Sequence, residues 1–268
     1  MSRGAILFAF NSPKYDYYAM AEFTANRINH FLDMPVTLVT NEKSLQASTG
    51  YKFDKVIVTE ADPTNNFRNI IWINKGRYMA YELSPYDETL VLDADYMVNS
   101  NKLTKIFDVM DDFTCHDSTA YFMHGETPEE TLGPLSFNTL WATVIGFRKT
   151  KRTKQIFECL EMVQKNYGHY ANIHGFPPEI YRNDHGLTLA HRIVNGHSYP
   201  KSDIIPWNLM HVGIKTYVYK NSPYEFNTSY TILFDKWNRG KLKKEYITIK
   251  DMDFHVINKD IFVELIQQ

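Results

Sequence analysis

The chain opens on a short continuous apolar run, Ala5-Ile6-Leu7-Phe8-Ala9-Phe10, which predicts a strand buried on both faces. Residues 15–32 then carry Tyr18, Ala21, Ala25, Ile28 and Phe31 at helical spacing. Residues 35–40 and 53–59 read as a second and third strand. Residues 69–83 read as a helix, 84–87 as a turn and 88–93 as a fourth strand. Strands alternating with helices at this spacing predict an α/β fold. Its central sheet is mostly parallel and flanked by helices, and its N-terminal half is Rossmann-like.

The second half is less regular. A short helix is expected over 103–109, a polar loop over 111–119, a strand over 121–123 and a loop over 125–134. Trp141–Arg148 reads as a buried strand. Residues 150–167 form an amphipathic helix with Ile156, Leu160, Met162 and Val163 on its apolar side. Residues 168–178, rich in aromatics, Gly and Pro, read as a loop. Asn183–Val194 reads as a helix that Asn183 or Asp184 would cap. No repeat, low-complexity tract or linker interrupts the pattern, so one domain over 1–268 is expected.

Composition narrows the class. Lys and Arg number 29 against 31 Asp and Glu, and the net charge of −2 argues against a surface coated for non-specific nucleic-acid binding. Local basic clusters at 148–154 and 241–244 stand out from that neutral background. They are either solvated faces or phosphate contacts. A 44% hydrophobic and 22% charged chain is globular rather than disordered. Two cysteines, Cys115 and Cys159, are too few for a disulfide scaffold or a four-thiolate zinc site, so a reduced cytoplasmic setting is expected. No apolar run approaches the ~20 residues of a membrane span, and the opening run is too short for a signal-peptide core.

The sharpest chemical feature is Leu90-Val91-Leu92-Asp93-Ala94-Asp95, an apolar strand ending in two carboxylates one residue apart. Residues i and i+2 of a strand point to one side, and ligands of open α/β sheets bind beyond the strands' carboxyl ends. Carboxylates converging there repel unless a cation lies between them, and a hard divalent ion is the natural one. A pair of solvated loop acids is the plain alternative.

The stretch from Leu83 to Asp95 resembles the helix, turn and "LDAD" strand of GT-A-fold glycosyltransferases. It is most similar to the retaining family that includes glycogenin and bacterial galactosyltransferases. The resemblance is concentrated in residues 69–98. It implies a single GT-A domain with a nucleotide-binding half over about 1–100 and an acceptor-binding half over about 101–268. It also implies Mn²⁺ or Mg²⁺ held by the DxD on the diphosphate of a nucleotide sugar, usually a UDP-sugar. Near the C-terminus, His255 and Lys259 match in type a family histidine that completes the metal site and a lysine on the diphosphate. Imidazole suits Mn²⁺ better than Mg²⁺, and a lysine point charge suits a diphosphate. The fuller family pattern around that histidine is missing here. Lys75 and Arg77 are the two candidates for a family arginine near the DxD, Arg77 being favoured.

The same resemblance places the nucleoside after the first two strands, at Phe10, Asn11, Thr40 and Asn41, with Ala94 between the two acids. Asp184 is then an acid facing acceptor or donor sugar, a general base if within about 3 Å of the acceptor hydroxyl; a helix cap is its alternative role. Asn138, Trp141, His185 and Trp207 are candidate sugar or acceptor contacts. In plan, the chain is similar to T-even-type bacteriophage enzymes that glycosylate hydroxymethylated bases in DNA, which implies modified DNA as acceptor, with a glycan or protein acceptor as the alternative. Two other classes remain open. A nucleotidyltransferase would carry a Gly-rich, Lys-containing loop after the first strand, and Ala9-Phe10-Asn11-Ser12-Pro13-Lys14 has no glycine. A non-catalytic binder would hold the nucleotide without turnover.

Overall fold

The computed structural model describes residues 1–46, 53–60, 62–67, 70–71, 73–122, 125–126, 130–134, 136–238 and 241–268. In chain order the elements begin with β1 Arg3–Phe8, α1 Tyr17–Leu32, β2 Val36–Thr40, α2 Glu42–Leu45 and β3 Lys55–Val58. A small hairpin follows, β4 Asn66–Phe67 and β5 Ile70–Ile71. A 3-10 turn, Lys75–Met79, then leads into α3 Ala80–Leu83. Next come β6 Glu88–Leu92, β7 Tyr96–Met97, a 3-10 turn Lys102–Lys105, α4 Ile106–Val109, β8 Phe113–His116, β9 Thr119–Tyr121 and β10 Gly125–Glu126. The chain continues through β11 Trp141–Arg148, α5 Lys151–Lys165, α6 Tyr167–His174, α7 Asn183–Val194 and a 3-10 turn Lys201–Asp203. It closes with β12 Leu209–Val212, β13 Thr216–Lys220, β14 Ser229–Asn238, β15 Lys241–Lys250, β16 Phe254–Val256 and α8 Lys259–Gln267.

The central sheet has the order β3-β2-β1-β6-β11-β8. Strands β3, β2, β1 and β6 are parallel, and β11 runs antiparallel to both β6 and β8. Side-chain alternation divides its core between the two faces. Ala5, Leu7, Leu90 and Leu92 pack with Ala21, Ala25 and Ile28 of α1. Ile6 and Val91, one residue out of phase, pack with Ile156 and Leu160 of α5 and Leu187 and Ala190 of α7. A continuous apolar run is what a strand covered on both sides requires. No helix among the described residues is long and apolar enough to cross a membrane.

A second sheet, β10-β9-β12-β16-β7, meets the first at the DxD. Strand β7 follows Asp95 directly and pairs antiparallel with β16, so His255 lies opposite Tyr96. A third sheet, β13-β14-β15, is an antiparallel meander with no counterpart in the elements expected from the sequence.

Four local expectations are corrected. Residues 69–83 are not one helix: Ile70–Ile71 pairs as a strand with Asn66–Phe67, and helical structure begins only at Lys75. Adjacent β-branched isoleucines and Gly76 disfavour a continuous helix there; Asn69 and Trp72 lie outside the described residues. Residues 113–116, expected in a loop, form β8, because Thr114 and His116 are polar yet buried against β11 and hide the strand pattern. The strand expected at 121–123 sits at Thr119–Tyr121, with Met123 outside the described residues. Residues 167–174, most of them expected in a loop, form α6. That helix stops at Gly175, whose φ of 74° is the left-handed cap glycine allows.

Candidate functional site

The DxD turn is held by the backbone around it. The Asp93 N–H donates to the Thr143 carbonyl of β11 at 3.1 Å, and the Tyr96 N–H donates back to the Asp93 carbonyl at 3.1 Å. Thr24 of α1 donates its hydroxyl to the Ala94 carbonyl at 2.7 Å. The turn therefore rests on sheet, helix and β7 together, with both acids projecting beyond β6.

Each acid meets a cation. Arg77, buried, donates Nη2 to Asp93 Oδ1 and Nη1 to the Ala142 carbonyl at 2.5 Å. Asp95, also buried, accepts from Lys259 Nζ, and His255 Nε2 lies 3.3 Å from the same oxygen. Burial alone pushes the Asp95 carboxyl upward, but the charges of Lys259 and His255 outweigh it and hold it well below the usual carboxylate range. One ligand atom from each of Asp93, Asp95 and His255 lies within 4.8 Å of the others. A set of two carboxylates and one imidazole, converging at that spacing, fits a divalent ion such as Mn²⁺ or Mg²⁺.

These groups line a cavity of about 180 Å³ together with Phe10, Tyr17, Asn74 and Ala94. Three further recesses share residues with it. One of about 380 Å³ shares Phe10 and contains Lys75. One of about 600 Å³ shares Tyr17 and Lys259. One of about 530 Å³ shares Asn74 and is lined by Tyr181, Arg182 and His185.

The remaining sequence candidates are distributed as follows. Asn11 Oδ1 accepts from the Tyr18 N–H at 2.8 Å. Asn41 Oδ1 caps α2 by accepting from Ser44 N–H at 2.9 Å, and Thr40 donates to the Ala9 carbonyl at 2.6 Å. These polar atoms serve the backbone around the first two strand ends. Lys75 donates to Thr64 and lies 3.3 Å from Asp62. Asn138 sits in an isolated backbone bridge with Thr131. The Trp141 ring is 5.2 Å from that of His211, and Lys102 lies 4.7 Å over Trp207, outside the central cavity.

Asp184 does not cap α7: Arg182 holds the cap position without a side-chain capping bond to the helix, and Asn183 donates its amide to the Asn74 carbonyl at 3.1 Å. Asp184 Oδ1 instead accepts the Ala142 N–H at 2.9 Å, while Oδ2 accepts from Arg182 at 3.2 Å. Asp184 and Arg77 thus grip the two sides of one β11 residue, and Arg77 carries the connection on to Asp93. His185 Nδ1 bonds the Tyr167 hydroxyl at 2.9 Å, and burial pushes its pKa down to about 4.

Two residues escaped the sequence reading. His211 of β12 pairs in register with His255, and their Nδ1 atoms lie 3.1 Å apart. Tyr17 lines the central cavity, its hydroxyl pKa raised by burial and by the charge of Asp95. Only strand register, invisible before β12 and β16 are paired, could have flagged His211.

No family model and no curated protein matches the sequence. Among solved structures, the chain is similar to the glycosyltransferase GlyE of Streptococcus pneumoniae TIGR4, at 15% identity and a TM-score of 0.41, over 70% of this chain and 43% of that one. It is similar to mouse xyloside xylosyltransferase 1 at 12% identity and a TM-score of 0.45, over 74% of this chain and 83% of that one. It is also similar to the galactosyltransferase LgtC in complex with donor and acceptor sugar analogs, at 15% identity and a TM-score of 0.44, over 70% of each chain. The chain spans less than half the length of GlyE.

Proposed function

We propose that the protein is a GT-A-type glycosyltransferase that uses a divalent cation and a nucleotide-sugar donor, with a UDP-sugar favoured. The observation that carries this reading is the convergence of Asp93, Asp95 and His255 within 4.8 Å, beside Lys259 and Arg77, at the carboxyl end of a parallel strand. Those three side chains would hold Mn²⁺ or Mg²⁺, which would supply charge neutralisation on the donor diphosphate. Lys259 would add positive charge for the diphosphate, and Arg77 would hold Asp93 in place while adding positive charge beside the leaving group. Phe10 offers an apolar surface for the base. The recess beyond Asn74, bordered by Tyr181 and Arg182, is where an acceptor would approach.

Asp184 has both carboxylate oxygens engaged and does not line the central cavity. That favours a retaining course in which the leaving phosphate takes the acceptor's proton and Asp184 acts as a positioning residue for β11 and Arg77.

Thermal unfolding with UDP, with and without Mn²⁺, tests the reading. At about 100 times the dissociation constant, ligand should add roughly 2.7 kcal/mol. The stabilisation should require Mn²⁺ and vanish in Asp95→Asn. Stabilisation by a nucleoside triphosphate but not by UDP would move the protein to the nucleotidyltransferases. No response to any nucleotide would remove the donor site altogether.

A further inference from the structure

The meander β13-β14-β15 has one face in the core and one face open. Val218, Tyr230, Ile232, Phe234 and Ile249 are buried, so the residues alternating with them point outward. Register arranges the outward side chains in rows. Tyr217, Leu233 and Tyr246 are cross-strand partners, and Tyr219, Thr231 and Thr248 make the next row. The three tyrosines are 50%, 47% and 71% exposed, for Tyr217, Tyr219 and Tyr246 respectively, which is far more than packing needs. Lys244 and Lys250 lie on the same face, one row beyond at either end, with Asp235 opposite Lys244.

Charge is segregated onto this unit. Residues 213–250 contain eight Lys and Arg and three Asp and Glu, a net +5, so the rest of a chain of net −2 carries −7. Past the end of β13 the two long strands continue as a ribbon. It carries Lys241, the cross-strand pair Lys236 and Lys243, and Lys244 on three of four successive rungs; Lys244 is on the tyrosine face, and Lys236 on the other face pairs with Glu245 at 3.2 Å.

We propose that this face binds single-stranded nucleic acid, with unpaired bases stacking on Tyr217, Tyr219 and Tyr246 and phosphates meeting Lys244 and Lys250. Tyr217 and Tyr219 are two residues apart, about 7 Å along the strand, and Tyr246 stands two strand spacings away, about 10 Å. Flat rings at such spacing on a rigid sheet, bordered by cations, match the chemistry of a stacked, negatively charged strand. A lipid surface fits less well: among the outward residues of those rows Leu233 is the one aliphatic side chain, and interfacial binding needs a broad apolar face. A second copy of the chain would oppose like charges. The sheet adjoins the candidate site through Ile214, just before β13, which lines the recess shared with Tyr17 and Lys259. The proposal stands apart from the sugar-transfer reading, because it concerns binding without donor or metal.

The test is fluorescence polarisation of a labelled oligodeoxythymidine of about 20 nucleotides with the full chain, at about 50 and 200 mM salt, without metal or nucleotide. Binding should be measurable at low salt and weaken as salt rises. The triple variant Tyr217→Ala, Tyr219→Ala, Tyr246→Ala should lose at least about tenfold in affinity. Lys244→Gln should reduce the salt slope by about 0.7. Unchanged thermal midpoints would confirm that these exposed positions leave the fold intact. Absence of binding at low salt would overturn the proposal, as would binding that the tyrosine variant leaves unchanged, or tighter binding to matching duplex or to phosphatidylserine vesicles. UDP-dependent stabilisation is measured separately, so either reading can fail alone.

Discussion

At the scale of single side chains, the central cavity balances charges that already satisfy one another. Asp95 accepts from Lys259 and faces His255, and Asp93 accepts from Arg77. What distinguishes a ligand site from a plain ion-pair cluster is whether the imidazole presents a lone pair. His255 Nδ1 and His211 Nδ1 are 3.1 Å apart, so one proton lies between them. For Nε2 of His255 to face the carboxylates unprotonated, that proton must sit on His255 and be accepted by His211. Burial pushes the His211 pKa down to about 2, so it stays a neutral acceptor. His211→Phe should therefore lower Mn²⁺ affinity by about 10–100-fold, read by calorimetry on the protein without donor. His211→Asn, which keeps an acceptor oxygen near the lost nitrogen, should recover most of it. Affinity retained in His211→Phe but lost in His211→Asn would mean that His211 only fills space. Strand alternation pointed to Asp93 and Asp95, and only the family resemblance pointed to His255, Lys259 and Arg77; the fold brings all five to one cavity. His211 was not legible, because its role depends on a pairing between strands 44 residues apart.

At the scale of elements, two glycines separate packing from propensity. Gly146 lies in β11, the strand whose Ala142 and Thr143 hold Arg77 and the Asp93 turn. A Cβ there would stand 2.6 Å from Ile106 Cγ2 and 3.1 Å from Thr114 Cγ2, both on stiff β-branched side chains. Gly146→Ala should cost about 1–3 kcal/mol, and at roughly 2–4 °C per kcal/mol the loss is plain in a thermal scan. Gly168 sits in α6 with nothing within 4 Å of its virtual Cβ. Gly168→Ala should stabilise by about 0.5 kcal/mol if the segment is helical, and by nothing systematic if it is a loop. That second variant bears on where the sequence was hard to read. The strand Trp141–Arg148 and the helix Asn183–Val194 declare themselves through unbroken period and agree with the structure residue for residue. Helix α6 has aromatics, a glycine and histidines in place of strong helix formers, and its inward face is little more than Tyr167 and Ala171. The β14 strand does alternate, with Tyr230, Ile232 and Phe234 buried, but its solvent face carries tyrosines and lysines from its neighbours instead of a uniformly polar set.

At the scale of the whole molecule, stability is tied to protons through groups that the fold holds away from water. His116 is fully buried in β8, neither ring nitrogen finds a partner among the described residues, and burial pushes its pKa down to about 3. Burial likewise lowers His185 to about 4 and His211 to about 2. All three are neutral in the folded chain and take up protons near pH 6.5 once unfolded. Their contribution is complete above that pH and is lost as pH falls toward the folded values. Asp253 acts in the opposite sense. Burial raises its pKa to about 6, so between pH 6 and about 4 the folded state binds a proton that the unfolded carboxylate lacks. Three protons favouring the unfolded chain against one favouring the folded chain leave about two, a slope on the order of 3 kcal/mol per pH unit between pH 6 and 4. With a typical reserve of about 5–15 kcal/mol, that slope should bring unfolding within reach near pH 4. Urea midpoints at pH 7.5, 6 and 5, measured without metal, should fall steadily, and His116→Leu should remove about one proton from the slope whatever it does to the baseline. Stability independent of pH between 6.5 and 5 would mean that these histidines gain a partner or water in solution.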